Sequence, residues 1–295
     1  MSVDAVELTV RVALDEGAGR LAAAGVESSR ADAEWLLAIV LGIGRAALHV
    51  VAGRALSPAV AARYAAALAR RAAREPLQRI VGWEEFRGLR FTLTPDVLVP
   101  RPETEMLVEW ALALLPPPGR RRLRGVDVGT GSGCIACSLA HERPDIDVIA
   151  LDVSPAAVAV ARANAAALGL AARVRVLVGD LAGALAPAWA DLVVANLPYL
   201  SDATMAGLAP EVTEHDPRQA LAGGADGLDA VHRLIPDARR ALRPGGALVL
   251  ETAGMAHVRT LSVRLRADGF ADVATRADLA GVVRFVAGRR EGRTS

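Results

Sequence analysis

Gly125-Val126-Asp127-Val128-Gly129-Thr130-Gly131-Ser132-Gly133-Cys134 is the stretch on which the fold is read. An apolar strand candidate ends at Val128, glycines then alternate with small hydroxylic residues, and a helix is expected to begin near Cys134. Glycines at such a turn let the backbone approach a ligand closely and leave amide groups at a helix N-terminus. Outward from this point the pattern repeats. Further apolar strand candidates are Val148 to Leu151, Val174 to Val178, Leu192 to Ala195 and Ala247 to Leu250, with helical segments between most of them. That alternation argues for an α/β fold with a doubly wound parallel sheet. Two last candidates, near Ala271 to Thr275 and Val282 to Val286, lie close enough in sequence to pair antiparallel.

Open parallel sheets bind ligands at the carboxyl ends of their strands, so the residues there are the site candidates. The loop reads G-x-G-x-G, which misses the G-x-G-x-x-G of dinucleotide binding, and without Gly-Lys-Ser/Thr it is not a P-loop. Asp127 would repel a pyrophosphate but suits a cationic amino-acid ligand, which favours S-adenosylmethionine over NAD. Gly129, Thr130, Gly131, Ser132 and Gly133 then form the cofactor loop. Asp152, ending the second strand, can accept hydrogen bonds from both ribose hydroxyls, while Asp180 can take an adenine amino group and Leu181 cover the ring. The fourth strand stops at Asn196-Leu197-Pro198-Tyr199. Pro198 has a fixed φ, donates no hydrogen bond and biases Leu197 toward an extended conformation, so a stiff bend is expected. An Asn carbonyl beside a backbone carbonyl, walled by a proline and an aromatic ring, suits a planar NH2 group. Glutamine amides and adenine both carry one.

The N-terminal region reads differently. Apolar residues recur at helical spacing from Val3 to Ala24; a second helix starts at Ser28 or Ser29 and should bury Trp35, Leu36, Ile39 and Val40; Ser57-Pro58 opens a third, with serine as cap and proline at the first position. Residues 1–75 are therefore expected to form a helical bundle, 76–99 a linker containing a hairpin near Arg90-Phe91-Thr92-Leu93-Thr94, 100–290 the α/β domain and 291–295 a tail. Pro100-Arg101-Pro102-Glu103-Thr104-Glu105 should open a helix running to about Leu115, with basic residues Arg120, Arg121, Arg122 and Arg124 in the loop beyond it. Between Glu34 and Glu75 stand Arg45, Arg54, Arg63, Arg70, Arg71 and Arg74 with no acidic residue, read as a solvated helix face or a docking surface.

Composition narrows the class. All 34 basic residues are Arg against 33 acidic ones, and the net charge of +1 gives no global pull toward a polyanion. No apolar run approaches the length of a membrane span and the N-terminus lacks a basic start before an apolar core, so a soluble cytoplasmic protein is expected. Cys134 and Cys137 form a C-x-x-C, but with no second Cys or His cluster to complete a metal site they are read as one helix face packed on the sheet.

Loop, strand-ending acids and N-L-P-Y, in this order, resemble the class I S-adenosylmethionine-dependent methyltransferases. Further blocks resemble the release factor glutamine methyltransferases of the HemK/PrmC family: Pro76-Leu77-Gln78-Arg79-Ile80-Val81-Gly82, Leu98-Val99-Pro100-Arg101-Pro102-Glu103-Thr104-Glu105 and Leu221-Ala222-Gly223-Gly224-Ala225-Asp226-Gly227-Leu228-Asp229. The resemblance implies a Rossmann-like, mostly parallel seven-stranded sheet, a small all-helical N-terminal domain and a hairpin linker. It also implies S-adenosyl-L-methionine as methyl donor, and N5-methylation of the glutamine in the Gly-Gly-Gln motif of bacterial class I peptide-chain release factors.

On this reading Asn196 accepts one amide N–H of the substrate, the Leu197 carbonyl the other, and Pro198 and Tyr199 clamp the amide plane, with no metal and no strong base. His215 is read as a solvated loop histidine, and 211–229 as a substrate-facing loop. Two positions depart from the family pattern. Leu197 replaces a proline, which makes the bend less rigid, and Val283 stands where an Asp is common, which leaves Arg284 without its usual partner. Adenine N6-methylation of RNA or DNA and a non-catalytic binding module remain as alternatives. Neither a basic face with clustered aromatics nor a loss of the cofactor residues is seen, and no stable nucleic-acid partner or membrane is expected.

Overall fold

A computed structural model describes residues 8–119, 121–205 and 207–292; the start of the first helix pattern, Arg120 of the basic loop and the last three residues lie outside them. Contacts divide the chain into two units. The first holds the described residues through Gly82 together with Ala209–His215; the second holds the rest.

The first unit is helical. Its long helices are Val10–Ala23, Ser29–Leu41 and Pro58–Ala72. Side-chain oxygens of Thr9 and Ser57 cap the first and third by accepting from Val12 and Val60 amides, and Gly42 ends the second at φ 69. Leu14, Leu21, Leu36, Leu37 and Leu68 fill the core, with Leu77, Ile80 and Val81 of the next short helix packed against it. Trp35 was expected inside but is 38% exposed, its ring under the Arg45 guanidinium; Leu36, buried as expected, shares the inward face with Leu37. The unmatched arginines are neither a uniformly solvated face nor a bare basic one. Arg70 pairs with Glu75 and Arg45 with Glu34, while buried Arg71 bonds Asp32 and, with Arg74, holds Glu211 of the 209–215 segment. His215 also corrects its solvated reading: its Nε2 is buried.

The second unit begins with a hairpin, β1 Trp83–Phe86 and β2 Leu89–Thr92. The main sheet contains β3 Leu123–Val128, β4 Ile146–Asp152, β5 Val174–Val178, β6 Ala190–Ala195, β7 Leu242–Glu251, β8 Phe270–Ala277 and β9 Val283–Arg290. Their order is β5-β4-β3-β6-β7-β9-β8, with β9 antiparallel to both neighbours and the remaining pairs parallel. Apolar residues line both faces of the central strands, as parallel strands covered by helices require. The chain runs outward from β3 to β5 and then returns to place β6 on the other side of β3. This reversal opens a crevice beyond the carboxyl ends of β3 and β6, where the glycine loop and the N-L-P-Y bend leave the sheet. Among the described residues no helix is long and apolar enough to cross a membrane.

Candidate active site

A cavity of about 470 Å³ lies in that crevice, within the size range of small-molecule sites. Gly129, Gly131, Asp152, Asp180, Asn196 and Leu197 are on its wall, with Leu181 and Pro198 beside them.

The glycine loop is held from below. Gly129 and Thr130 amides donate to the Leu151 carbonyl at 2.8 and 2.9 Å, and Gly133, at φ 84, opens the helix Cys134–Glu142. A Cβ on Gly129 would stand 2.8 Å from Leu197 Cδ2, so the loop and the bend touch because this residue has no side chain. Asp152 accepts the Gly131 amide on Oδ2 and the Ser154 amide on Oδ1, both at 2.9 Å, and still fronts the cavity. A carboxylate has lone pairs for further donors, so ribose hydroxyls fit here.

Asp127 is placed elsewhere than on the cavity wall. It is fully buried, and its Oδ2 accepts the Thr130 hydroxyl at 2.6 Å and the Ala136 amide at 3.1 Å. Burial pushes its carboxyl up to about 7, against the pull of those two bonds. Asp127 therefore ties the loop to the following helix, with Oδ1 left unpartnered. Thr130 and Ser132 are buried with it and, like Gly133, shape the loop from behind. Asn164 does the same from another helix, its Nδ2 donating to the Ser132 carbonyl at 2.9 Å and to the Thr92 carbonyl at 3.0 Å. Cys134 and Cys137 lie in the core on one helix, where burial lifts both thiols to about 12.

Asp180 is on the wall, but its carboxylate is bonded by Arg233 of the helix Asp229–Ala241, which lines the same cavity. Any amino group that binds Asp180 shares it with this guanidinium. Leu181 beside it sits at φ 52, a left-handed conformation uncommon for a branched side chain and found where a site imposes it.

At the end of β6, Asn196 Nδ2 donates to Thr104 Oγ1 at 3.0 Å. Thr104 is in the first turn of the helix Pro102–Leu114, and Glu251 ends the adjacent β7. Burial pushes the Glu251 carboxyl up to about 7, with hydrogen bonding from Thr104, the Arg284 charge and hydrogen bonding from Asn196 opposing, and Glu103 adding to the rise. With the nitrogen of Asn196 directed at these two groups, its carbonyl oxygen is the end available to a ligand. Leu197 is buried in the core on the other side of the bend. Tyr199 is off the cavity wall and half-buried, its hydroxyl lifted to about 12 by burial. Its carbonyl leaves no room for a Cβ on Gly227, and Leu200 exchanges backbone bonds with Leu221 and Gly223. The G-G-x-D-G-L-D block is thus the backing of the bend. The 216–222 part of the expected substrate-facing loop reaches the cavity through Pro217, Gln219, Ala220 and Ala222.

Arg284 corrects an expectation. Its Nε donates to Asp278 Oδ2 at 2.6 Å, so an acid six residues earlier replaces the Asp missing at Val283. Sequence reasoning passed over Glu251, Thr104, Asn164 and Arg233. Glu251 was findable by the argument used for Asp152 and Asp180, an acid at a carboxyl strand end; an Asn within the alanine-rich Pro155–Ala167 helix was a second signal.

Family models match twice: "PrmC N-terminal domain" over residues 12–82 and "Methyltransferase small domain" over 111–224. The chain is 43% identical to a release factor glutamine methyltransferase of Geobacter sulfurreducens, covering 95% of this chain and 96% of the relative. It is 47% identical to the one of Cereibacter sphaeroides, covering 94% and 97%, and 41% identical to that of Mycolicibacterium smegmatis, covering 97% and 99%. Among solved structures, the hMettl16 catalytic domain in complex with an RNA hairpin aligns with a TM-score of 0.58 at 20% identity, over 78% of this chain and 84% of that one. The N-terminal domain of human METTL16 in complex with SAH aligns at 0.52 and 18%, over 70% and 77%. These two likenesses bear on the fold.

Proposed function

The chain belongs to the release factor glutamine methyltransferase family, and on that premise we propose that it methylates N5 of the glutamine in the Gly-Gly-Gln motif of bacterial class I release factors. It is an S-adenosylmethionine-dependent methyltransferase. The cavity residues fit that cofactor: a glycine loop too close to Leu197 for any side chain at Gly129, Asp152 for the ribose, and Asp180 with Leu181 at the far wall. When bound, S-adenosylmethionine supplies an electrophilic methyl group on a sulfonium sulfur.

The protein's part is to present the nucleophile. Asn196 Oδ1 accepts one N–H of the substrate amide and the Leu197 carbonyl accepts the other, which directs the nitrogen toward the methyl group. Pro198, on the cavity wall, fixes one side of the amide plane, and Tyr199, beyond that wall, is the proposed second side. Two acceptors on the N–H groups also favour the positive charge that develops on nitrogen during transfer. Alignment of this kind is worth on the order of 7–11 kcal/mol in well-oriented systems, so no strong base is needed before transfer. The surplus N–H proton passes to solvent afterwards.

The observation that carries the reading is the polarity of Asn196, a residue of the cavity wall whose side-chain nitrogen is bonded to Thr104. The test is labelled methyl transfer to a purified bacterial release factor, beside its Gln→Asn variant in Gly-Gly-Gln and a ribosomal RNA control. Label on the wild-type factor alone is the expected result. Label on RNA and none on the factor would overturn the reading in favour of adenine methylation.

A further inference from the structure

Resting on the reading of Asn196 as acceptor of the substrate amide, we propose that Thr104 and Glu251 are positioning residues that fix which end of the Asn196 side chain faces the substrate. The two ends of a carboxamide are nearly equal in size, and its terminal torsion is broad and roughly two-fold. Packing therefore distinguishes them poorly, and hydrogen bonding has to do it. Asn196 Nδ2 donates to Thr104 Oγ1 at 3.0 Å. A threonine hydroxyl carries one proton and two lone pairs, so its own proton must point elsewhere. Glu251 faces both Thr104 and Asn196.

The three side chains come from the helix Pro102–Leu114, the residue after β6 and the end of β7, with Thr104 3% and Glu251 1% exposed. A carboxyl keeps an accepting oxygen whether ionised or neutral, so on this proposal it takes the Thr104 proton and leaves the Thr104 oxygen as an acceptor for Nδ2. Burial acts most strongly on this carboxyl and favours its neutral form; Arg284, held by Asp278, pulls toward the ionised form, and Glu103 adds to the effect of burial. Glu251 Oε2 is buried with no partner, so this acid has unfilled accepting capacity. Were the Asn196 amide turned round, Nδ2 would meet the substrate N–H, donor against donor. The acceptor seen by the substrate is thus set two residues away, at Glu251, and relayed through a hydroxyl.

The test uses the full chain with Thr104→Val, Thr104→Ser and Glu251→Gln. Thr104→Val keeps the shape and removes the hydroxyl; Glu251→Gln introduces a donor where the relay needs an acceptor. In nitrogen-15-labelled protein without substrate, the Asn196 side-chain NH2 protons are identified by their loss in Asn196→Asp. They are expected to exchange slowly in wild type and in Thr104→Ser, and at least about tenfold faster in Thr104→Val. In methyl transfer, Thr104→Val and Glu251→Gln should lower kcat on the order of 10²-fold with KM for S-adenosylmethionine unchanged, as misorientation at a reacting centre does. Thr104→Ser should restore most of the rate. Wild-type kcat and exchange in Thr104→Val would overturn the proposal, as would a Thr104→Ser variant as slow as Thr104→Val. A wild-type protein that labels no release factor would overturn the proposed function instead, while the exchange rates would still decide the role of Thr104.

Discussion

Leu197 stands where the family usually has a proline, and its side chain does by packing what a pyrrolidine ring does by covalent constraint. It is buried in the core that contains Val128 and Ala195, and its Cδ2 occupies the space over Gly129. Leu197→Ala is therefore expected to cost about 2–5 kcal/mol as a buried large-to-small change and to lower kcat by loosening the bend; urea unfolding beside single-turnover methyl transfer would measure both. At Gly129 the φ of 74 and the 2.8 Å approach act together. Gly129→Ala should weaken S-adenosylmethionine binding at least tenfold by calorimetry, since Leu197 or the loop must move. Unchanged affinity would show that the loop has room to spare. Asn196→Ala removes the proposed acceptor and should lower kcat about 10²-fold or more, the range for loss of one preorganised transition-state contact; full activity would sink the mechanism.

Among the elements, the helix Pro58–Ala72 carries the ion pair whose loss should be felt most. Arg71 Nε donates to Asp32 Oδ2 at 2.8 Å, and both side chains are buried. Arg71→Ala leaves Asp32 as an uncompensated buried charge, which typically costs about 3–5 kcal/mol. Thermal unfolding followed by far-ultraviolet circular dichroism should register it as a lowered midpoint. A change under about 1 kcal/mol would mean that water or Arg74 takes over. The loop 221–229 is a second constrained element. Gly223, Gly224 and Gly227 each approach backbone or the Asp229 carboxylate more closely than a Cβ permits, which explains why three glycines occur in one short block.

Across the whole molecule, buried carboxyls set the response to pH. Asp127 and Glu251 have ordinary values of 3.8 and 4.5 and are both raised to about 7 by burial. The folded protein thus keeps protons that the unfolded chain releases, so this contribution to stability is full below about pH 4 and is lost as pH rises through 7. Glu211, lowered to about 2 chiefly by its bond with Arg74, runs the other way: its contribution is present above 4.5 and lost as pH falls toward 2. Between pH 5 and 8 the melting temperature is expected to fall, and Asp127→Asn should flatten that slope at matched ionic strength. Equal slopes for the two proteins would contradict the assignment. What the sequence by itself determined was local: the strand candidates ending at Val128, Leu151, Val178, Ala195 and Leu250, each within one residue of the observed end, the cap at Ser57, and the turn glycines. These depend on periodicity and on backbone torsions, which neighbours along the chain set. Only the tertiary structure decided that Asp127 faces inward, that Trp35 lies outside, that Arg284 pairs with Asp278, and that Thr104 meets Asn196 across 92 positions. Such choices depend on which polar groups the folded sheet brings within 3 Å, and hydrogen bonds of that reach carry no period in the sequence.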